Sequence, residues 1–189
     1  MSIQMTYEEQ TEEAPFSPEE EAAILQIALD RAPAKLEKLA TANGDAEAFV
    51  HLPGAAAAAF HLGRFAEAKA FAERGLALAP LFQDNWNYGN AIHAGHTVLG
   101  LLALDDGDEK TAIAELVASG NTPGSPQLNS FGPTMQLAKA LLRAGHVQPV
   151  LDYLNQCRTF WEMGSGWLNL WERKVREGLV PNFFQHSHV

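Results

Sequence analysis

Aromatic, amide and imidazole side chains recur on one predicted helix, from Asp84 to Asp105, at a spacing that suits ligand binding. Trp86, Asn90 and His93 follow one another at steps of four and three residues, so they share a helix face. Trp86 would supply an apolar platform, while Asn90 and His93 would supply hydrogen-bonding groups. The alternative is a partly buried helix whose polar side chains bond to loop carbonyl groups. The same stripe continues through Thr97, Leu101 and Leu104.

A basic pair stands on a later predicted helix. Lys139 and Arg143 are four residues apart and therefore lie on one face. One interpretation is an ordinary solvated helix face, because exposed charges are common there. The other is an anion site for an acidic side chain, a peptide terminus or a small carboxylate.

The segment from Ser119 to Pro133 separates these two helices and is unusually long for a compact helical protein. A loop of this length is typically functional or flexible. Its polar residues Gln127 and Asn129 precede the helix of the basic pair, where free backbone N–H groups would suit an anion. Ser130 would equally serve as a cap for that helix.

Sequence motifs for catalysis and for metal binding are lacking. The serines have no G-x-S-x-G setting, and there is neither a P-loop nor a dinucleotide fingerprint. His93 and His96 are too few ligands for a metal site. The single cysteine, Cys157, is predicted to be a buried structural thiol. We therefore predict no catalytic residue, no metal and no cofactor, and we favour a non-enzymatic protein.

Composition narrows the class of protein and of partner. The formal net charge of -10 over 189 residues argues against nucleic acid, because phosphate binding needs a basic surface. No apolar run of about 20 residues is present, so we expect no membrane span. One cysteine excludes an internal disulfide and suits a reducing compartment. With no signal-peptide pattern at the N-terminus, the expected location is cytoplasmic.

The chain reads as helical throughout, so the predicted fold class is all-α. Residues 1–16 are rich in glutamate and are predicted to be a mobile acidic arm. Ser17 with Pro18 and Glu20 forms a capping box that starts the domain of residues 17–189. A first helix follows, and a second is expected from Pro33. Beyond residue 45, pairs of helical stretches flank three turn glycines at positions 63, 107 and 145.

The stretch from Gly63 to Pro80 resembles the second half of a tetratricopeptide repeat (TPR) unit. Gly63 permits the turn, Ala68 lets the two helices approach closely, and Phe71 fills the groove between them. A second unit matches at His96, Leu99, Gly100, Gly107, Ala112 and Leu116, with His96 where the family usually has tryptophan. A third unit matches by side-chain size at Leu137, Ala138, Leu141, Gly145, Val150 and Leu154.

This resemblance implies a short solenoid of antiparallel helical hairpins. Its repeat units would span about 47–80, 84–119 and 131–157, after an N-terminal helical pair and before a capping helix at 165–178 with Trp167 and Trp171 in the core. The links at 84–97 and 119–133 exceed those of the family and are similar to segments of uncharacterised bacterial TPR-like proteins. In the TPR register, Thr97 and Leu101 resemble groove-lining positions.

The resemblance also implies a function. In TPR proteins, first-helix positions equivalent to Lys139 and Arg143 can clamp a peptide carboxylate. The counterparts in the other two units do not complete such a clamp; they are Ala57 and His61, then Leu101 and Asp105. We predict a module that binds a protein or peptide partner through its concave face and the 119–133 loop.

Two alternatives belong to other classes. One is a small-ligand-binding protein or enzyme whose pocket unites the 84–97 segment with the 119–133 loop and holds a small anionic ligand. Its residues would be Trp86, Asn90, His93, Gln127, Asn129, Lys139 and Arg143. The other is a structural subunit that forms a homo-oligomer through its apolar C-terminal helix.

Overall fold

The computed structural model describes residues 5–186, and within that range it contains ten α-helices and no strand. The predicted all-α class is therefore confirmed. The helices are α1 (Tyr7–Thr11), α2 (Pro18–Ala40), α3 (Gly44–His61), α4 (Phe65–Leu78), α5 (Tyr88–Asp105), α6 (Glu109–Gly120), α7 (Pro126–Phe131), α8 (Gln136–Arg143), α9 (Val147–Cys157) and α10 (Ser165–Arg176).

Consecutive helices pack against one another along the chain, and three of these packed pairs are joined by a glycine turn: α3 with α4, α5 with α6, and α8 with α9. Each pair is joined by a tight turn at one of the predicted glycines. Gly63, Gly107 and Gly145 have φ angles of 71°, 79° and 93°, a left-handed backbone conformation that glycine adopts without a steric cost. The turn signals in the sequence thus locate the packed pairs correctly.

Small residues bring the first pair into close contact. The α3 residues Ala55–Ala59 are all buried, and Ala56 and Ala59 pack with Ala68 and Ala72 of α4. The largest apolar cluster lies at the other end of the chain, where α8 and α9 meet α10. Between them runs α5, which contacts α3, α4, α6 and α8. Helix α5 therefore links the first helix pair to α6 and α8.

The prediction of an N-terminal helical pair is wrong, because one continuous 23-residue helix, α2, spans the region. Pro33 lies inside α2 on its exposed side. Proline has no backbone N–H to donate, so it suits the first turn of a helix, and Pro33 therefore predicts a helix start. Ala28 and Ala32 are buried on the opposite side, and α2 packs along α3. This packing allows α2 to continue past Pro33, although the backbone hydrogen bond that Pro33 would donate is missing.

The segment predicted to be a mobile acidic arm includes a short helix that is joined to the C-terminal part of the chain. The Tyr7 ring meets the edge of Trp167 with 6.1 Å between ring centroids. The Glu12 carboxylate is fully buried and accepts hydrogen bonds from Trp171 Nε1 (2.7 Å) and from the Asn182 backbone N–H (2.9 Å). These contacts explain the difference, because they join residues about 160 positions apart. Residues 1–4 of the predicted arm lie outside the described range.

Helix α10 lies within the predicted capping region, and its apolar face is covered by the chain itself. Trp167, Leu168, Trp171 and Val175 are all buried. A homo-oligomer through this face would require the monomer's own core to open. Across residues 5–186, every helix is too short or too polar to cross a lipid bilayer.

Candidate functional site

The seven residues predicted to bind a ligand or partner fall into two groups in space, with Trp86 apart from both. Helix α5 begins at Tyr88, so Trp86 sits in the preceding turn and is half exposed. The helix starts late because Asn87 turns its side chain into the protein and donates to the Phe49 carbonyl of α3 (3.0 Å). The spacing predicts that Trp86 extends a face of α5, but in the structure Trp86 lies before the helix begins.

The first group joins α5 to the 119–133 segment. Asn90 Nδ2 donates to Gln127 Oε1 (3.2 Å), and Ser125 Oγ donates to Asn90 Oδ1. Asn129, with its amide nitrogen turned toward two carbonyl groups, donates to Phe160 (2.7 Å) and Ser125 (3.1 Å). These side chains meet as predicted, but they bond to one another and to the backbone. Their arrangement fixes the segment in place.

The 119–133 segment is more regular than the sequence suggested, because it contains α7. Ser125 caps this helix by accepting from the Leu128 backbone N–H (3.0 Å). Ser130 lies inside α7 and does not cap α8, which begins at Gln136 after Gly132 and Pro133. The Thr134 hydroxyl accepts from the Gln136 N–H (3.2 Å) instead.

His93 links the two elements from the buried side of α5. Its Nδ1 lies 3.2 Å from the Ser119 carbonyl, and its Nε2 accepts from the Thr134 backbone N–H (3.2 Å). This pattern requires a neutral ring with the proton on Nδ1. Burial lowers the pKa of His93 to about 4, which matches the neutral form. Both ring nitrogens are occupied, so His93 positions the backbone.

The neighbouring stripe residues behave differently from one another. Thr97 is buried and donates to the His93 carbonyl (2.8 Å), so it does not line a groove. His96 Nδ1 meets the Glu115 carboxylate at 2.7 Å. Leu101 lines a cleft between α2 and α8. No group of three or more histidine, cysteine or acidic residues in the described chain is placed to hold a metal ion.

Close packing between α5 and the 119–133 segment makes Gly89 critical for stability. A Cβ atom at Gly89 would stand 1.8 Å from the Gly124 carbonyl oxygen, a backbone atom that cannot rotate away. We expect Gly89→Ala to lower the free energy of unfolding by about 3 kcal/mol, at the upper end of overpacking effects. Urea denaturation followed by circular dichroism measures this change.

The matched control is Gly54→Ala within α3. A Cβ atom there would meet the Lys35 side chain at 3.7 Å, an ordinary contact distance. We expect Gly54→Ala to stabilise the protein by about 0.5–1 kcal/mol, because alanine is the better helix former. Equal stability of the two variants would show that the α5–Gly124 contact is looser than described.

The second predicted group, Lys139 and Arg143, borders a cleft of about 380 Å³ that we name the α2–α8 cleft. Helix α2 forms one wall, α8 the other, and α3 and α5 contribute one residue each. Most of its lining is apolar, with charged groups at one side. The lining residues are Glu21, Ala22, Ile24, Leu25, Ala28, His61, Leu101, Gln136, Lys139, Ala140 and Arg143. The other five predicted site residues do not line it.

The basic pair holds the carboxylate of Glu21 from α2. Lys139 Nζ lies 2.9 Å from Glu21 Oε1, and Arg143 Nη2 also donates to that oxygen. Partial burial opposes ionisation of Glu21, but the hydrogen bonds from Arg143 and Lys139 outweigh it and lower the pKa of the carboxyl. The pair is therefore an anion site in which this chain supplies the anion.

The two basic side chains differ in how they are held. Lys139 is buried; its Nζ lies 3.4 Å from the Asn182 carbonyl and 5.2 Å from the centre of the Phe16 ring. The Arg143 side chain is 55% exposed. Lys139 is thus a buried positive charge at the base of the site, and Arg143 is a solvent-exposed one at its edge.

The cleft can bind a carboxylate next to apolar side chains, but its lining lacks a nucleophile paired with a base. Cys157 lies elsewhere in the core, where burial raises the pKa of its thiol to about 12.

The contribution of α2 to the cleft was not predicted from the sequence. Glu21, Ile24, Leu25 and Ala28 follow helical spacing, yet nothing local indicates that this face meets α8.

Comparison with known proteins adds no relationship. Neither a protein family, nor a curated protein, nor a solved structure matches this chain.

Proposed function

We propose that this protein is a non-enzymatic binding module that takes a peptide segment of a partner protein into the α2–α8 cleft. In this proposal the three helix pairs stack as a TPR-like solenoid, and the cleft is part of its concave face. The partner segment carries a carboxylate for Lys139 and Arg143 and apolar side chains for the space between α2 and α5.

The observation that carries the proposal is the composition of the cleft walls. Of the six first-helix positions that the TPR register makes equivalent, His61, Leu101, Lys139 and Arg143 line this one cleft, whereas Ala57 and Asp105 do not. A surface shared by successive repeat units is the typical binding surface of helical repeat proteins. Its volume of about 380 Å³ suits a few side chains of a peptide.

Charge and apolar lining together define the partner. A guanidinium and an ammonium group that already share a carboxylate oxygen favour an acidic partner residue. Leu25 is half exposed, although it lines the cleft, and offers apolar surface to a ligand. The 119–133 segment has a supporting role in this proposal, because its polar groups bond within the chain.

The test is selection of random twelve-residue peptides, displayed on phage, on the immobilised protein. Enriched peptides are then synthesised with a fluorescein label, and their affinities are measured by fluorescence anisotropy. We expect enrichment of acidic and apolar residues, and about tenfold weaker binding to Arg143→Ala, equivalent to about 1.4 kcal/mol.

Arg74→Ala is the matched control. Arg74 is likewise an exposed arginine, and it forms an ion pair with Asp45 of a neighbouring helix at 2.9 Å. It does not line the cleft, so its loss should leave peptide binding unchanged. Failure to enrich any peptide, or peptides equally weakened by both variants, would refute the proposed function.

A further inference from the structure

We infer that Glu21 is a built-in competitor for the α2–α8 cleft, so that a partner's carboxylate binds by taking the place of the chain's own. This inference rests on the proposed function and adds its regulation. It starts from the fact that the Glu21 carboxylate already occupies the position between Lys139 and Arg143.

Half of the basic site is held independently of Glu21. The Lys139 ammonium is kept in position by the Asn182 carbonyl and the Phe16 ring, neither of which belongs to α2. Arg143 reaches the same point from the next turn of α8, where its ion pair is with Glu21. Loss of Glu21 from the pair would therefore leave Lys139 in place, with the exposed Arg143 beside it to bind a new carboxylate.

Glu21 itself is partly accessible to solvent. It lies in the first turn of α2, and its side chain is 34% exposed, so the carboxylate can turn toward water. Between Pro18 and Arg31, Ala28 is the single buried residue of the helix, and Leu25 and Ile27 are about half exposed. The part of α2 beyond Pro33 has the stronger anchors, with Leu36 and Leu39 packed on apolar clusters that include α3 residues.

Tethering gives the internal carboxylate an advantage over one in solution. A group held beside its site acts at a high effective concentration, and the affinity for an external ligand falls by the fraction of time the site is free. If Glu21 occupies the pair about nine-tenths of the time, external binding is about tenfold weaker than to an empty site. Neutralising Glu21 removes this competition.

The experiment compares Glu21→Gln with Glu19→Gln in the full-length protein. Both substitutions remove one negative charge from the first turn of α2, but Glu19 is exposed and does not line the cleft. The probe is a fluorescein-labelled octapeptide with an amidated C-terminus and one glutamate among leucine and alanine residues, and anisotropy gives its Kd. Circular dichroism melting curves show that each variant is folded.

We expect Glu21→Gln to bind the probe about tenfold more tightly than the unmodified protein and Glu19→Gln to match the unmodified protein. Adding Arg143→Ala to Glu21→Gln should abolish the gain. A probe with glutamine in place of its glutamate should not distinguish the proteins.

Two other outcomes overturn the inference in distinguishable ways. If peptides bind the unmodified protein through Arg143, and Glu21→Gln binds them equally well, the proposed function stands and the competitor role is wrong. If neither the unmodified protein nor Glu21→Gln nor a second variant, Glu21→Ala, binds the probe or any selected peptide, both proposals are wrong.

Discussion

Glu12→Ala should destabilise the protein by about 3–5 kcal/mol, the cost of removing one partner from a buried ionic network. The Glu12 carboxylate is inaccessible to solvent and receives Trp171 Nε1–H and the Asn182 N–H. The Lys174 ammonium lies 3.5 Å from it. Alanine would leave the Trp171 Nε1–H and the Asn182 N–H buried without their acceptor, while Lys174 would keep its bond to the backbone carbonyl of residue 12.

Thermal unfolding measures this effect. A loss of this size should lower Tm by about 10 °C or more for a chain of this length. The control is Glu13→Ala, which removes the same charge from the next residue, an exposed one, and should change stability by less than about 0.5 kcal/mol. Similar melting temperatures for the two variants would show that residues 5–16 are not joined to α10 as described.

Acidification should destabilise the protein through His93. The pKa of His93 is lowered by burial to about 4 in the folded protein, from an ordinary value of 6.5. Between these values the unfolded chain binds a proton that the folded chain does not, so stability falls as pH decreases from about 6.5 to about 4. The full contribution of this residue is about 3 kcal/mol, of which about 2 kcal/mol is lost at pH 5.

Urea unfolding at pH 8, 6 and 5 measures the slope, and His93→Gln should reduce it. The control is His51→Gln, which removes a partly exposed histidine and should keep the slope. An unchanged slope in His93→Gln would mean that other groups account for the acid sensitivity. The prediction depends on geometry, since a protonated ring could not accept from the Thr134 N–H.

The sequence was most informative where structure is set locally. Glycines at 63, 107 and 145 mark turns because glycine reaches positive φ at low cost, and the structure places a turn at each. The Ser17 capping box was likewise predicted, and both of its hydrogen bonds are present. Trp167 and Trp171 were expected in the core, and both are buried, as large apolar side chains usually are.

Predictions from the sequence were wrong where contacts between residues far apart in the chain determine the local structure. The sequence predicts a helix start at Pro33, but Ala28 and Ala32 are buried and α2 packs along α3, so the helix continues past this position. The glutamates of residues 8–13 look alike in sequence, yet Glu12 is buried against Trp171 while Glu13 is exposed. Burial of a charge depends on its partner, and here the partner is 159 positions away.

The candidate site shows the same division. The i, i+4 spacing of Lys139 and Arg143 allowed either a solvated face or an anion site, and in the structure both groups contact the Glu21 carboxylate. The anion's origin in α2 could not be read from spacing, because it depends on how α2 crosses toward α8. Asn90 and Gln127 were grouped correctly, but hydrogen-bonding side chains look the same in sequence whether they face a ligand or each other.

Peptide binding in the α2–α8 cleft can be observed directly by NMR. The measurement is a titration of the protein, methyl-labelled at its Ile and Leu side chains, with a selected peptide. We expect the methyl signals of Ile24, Leu25 and Leu101, which line the cleft, to shift with saturation, while those of Leu128, buried in α7, stay in place. Saturable shifts at Leu128 with unchanged signals from the three cleft residues would contradict the account and place the binding surface at the 119–133 segment.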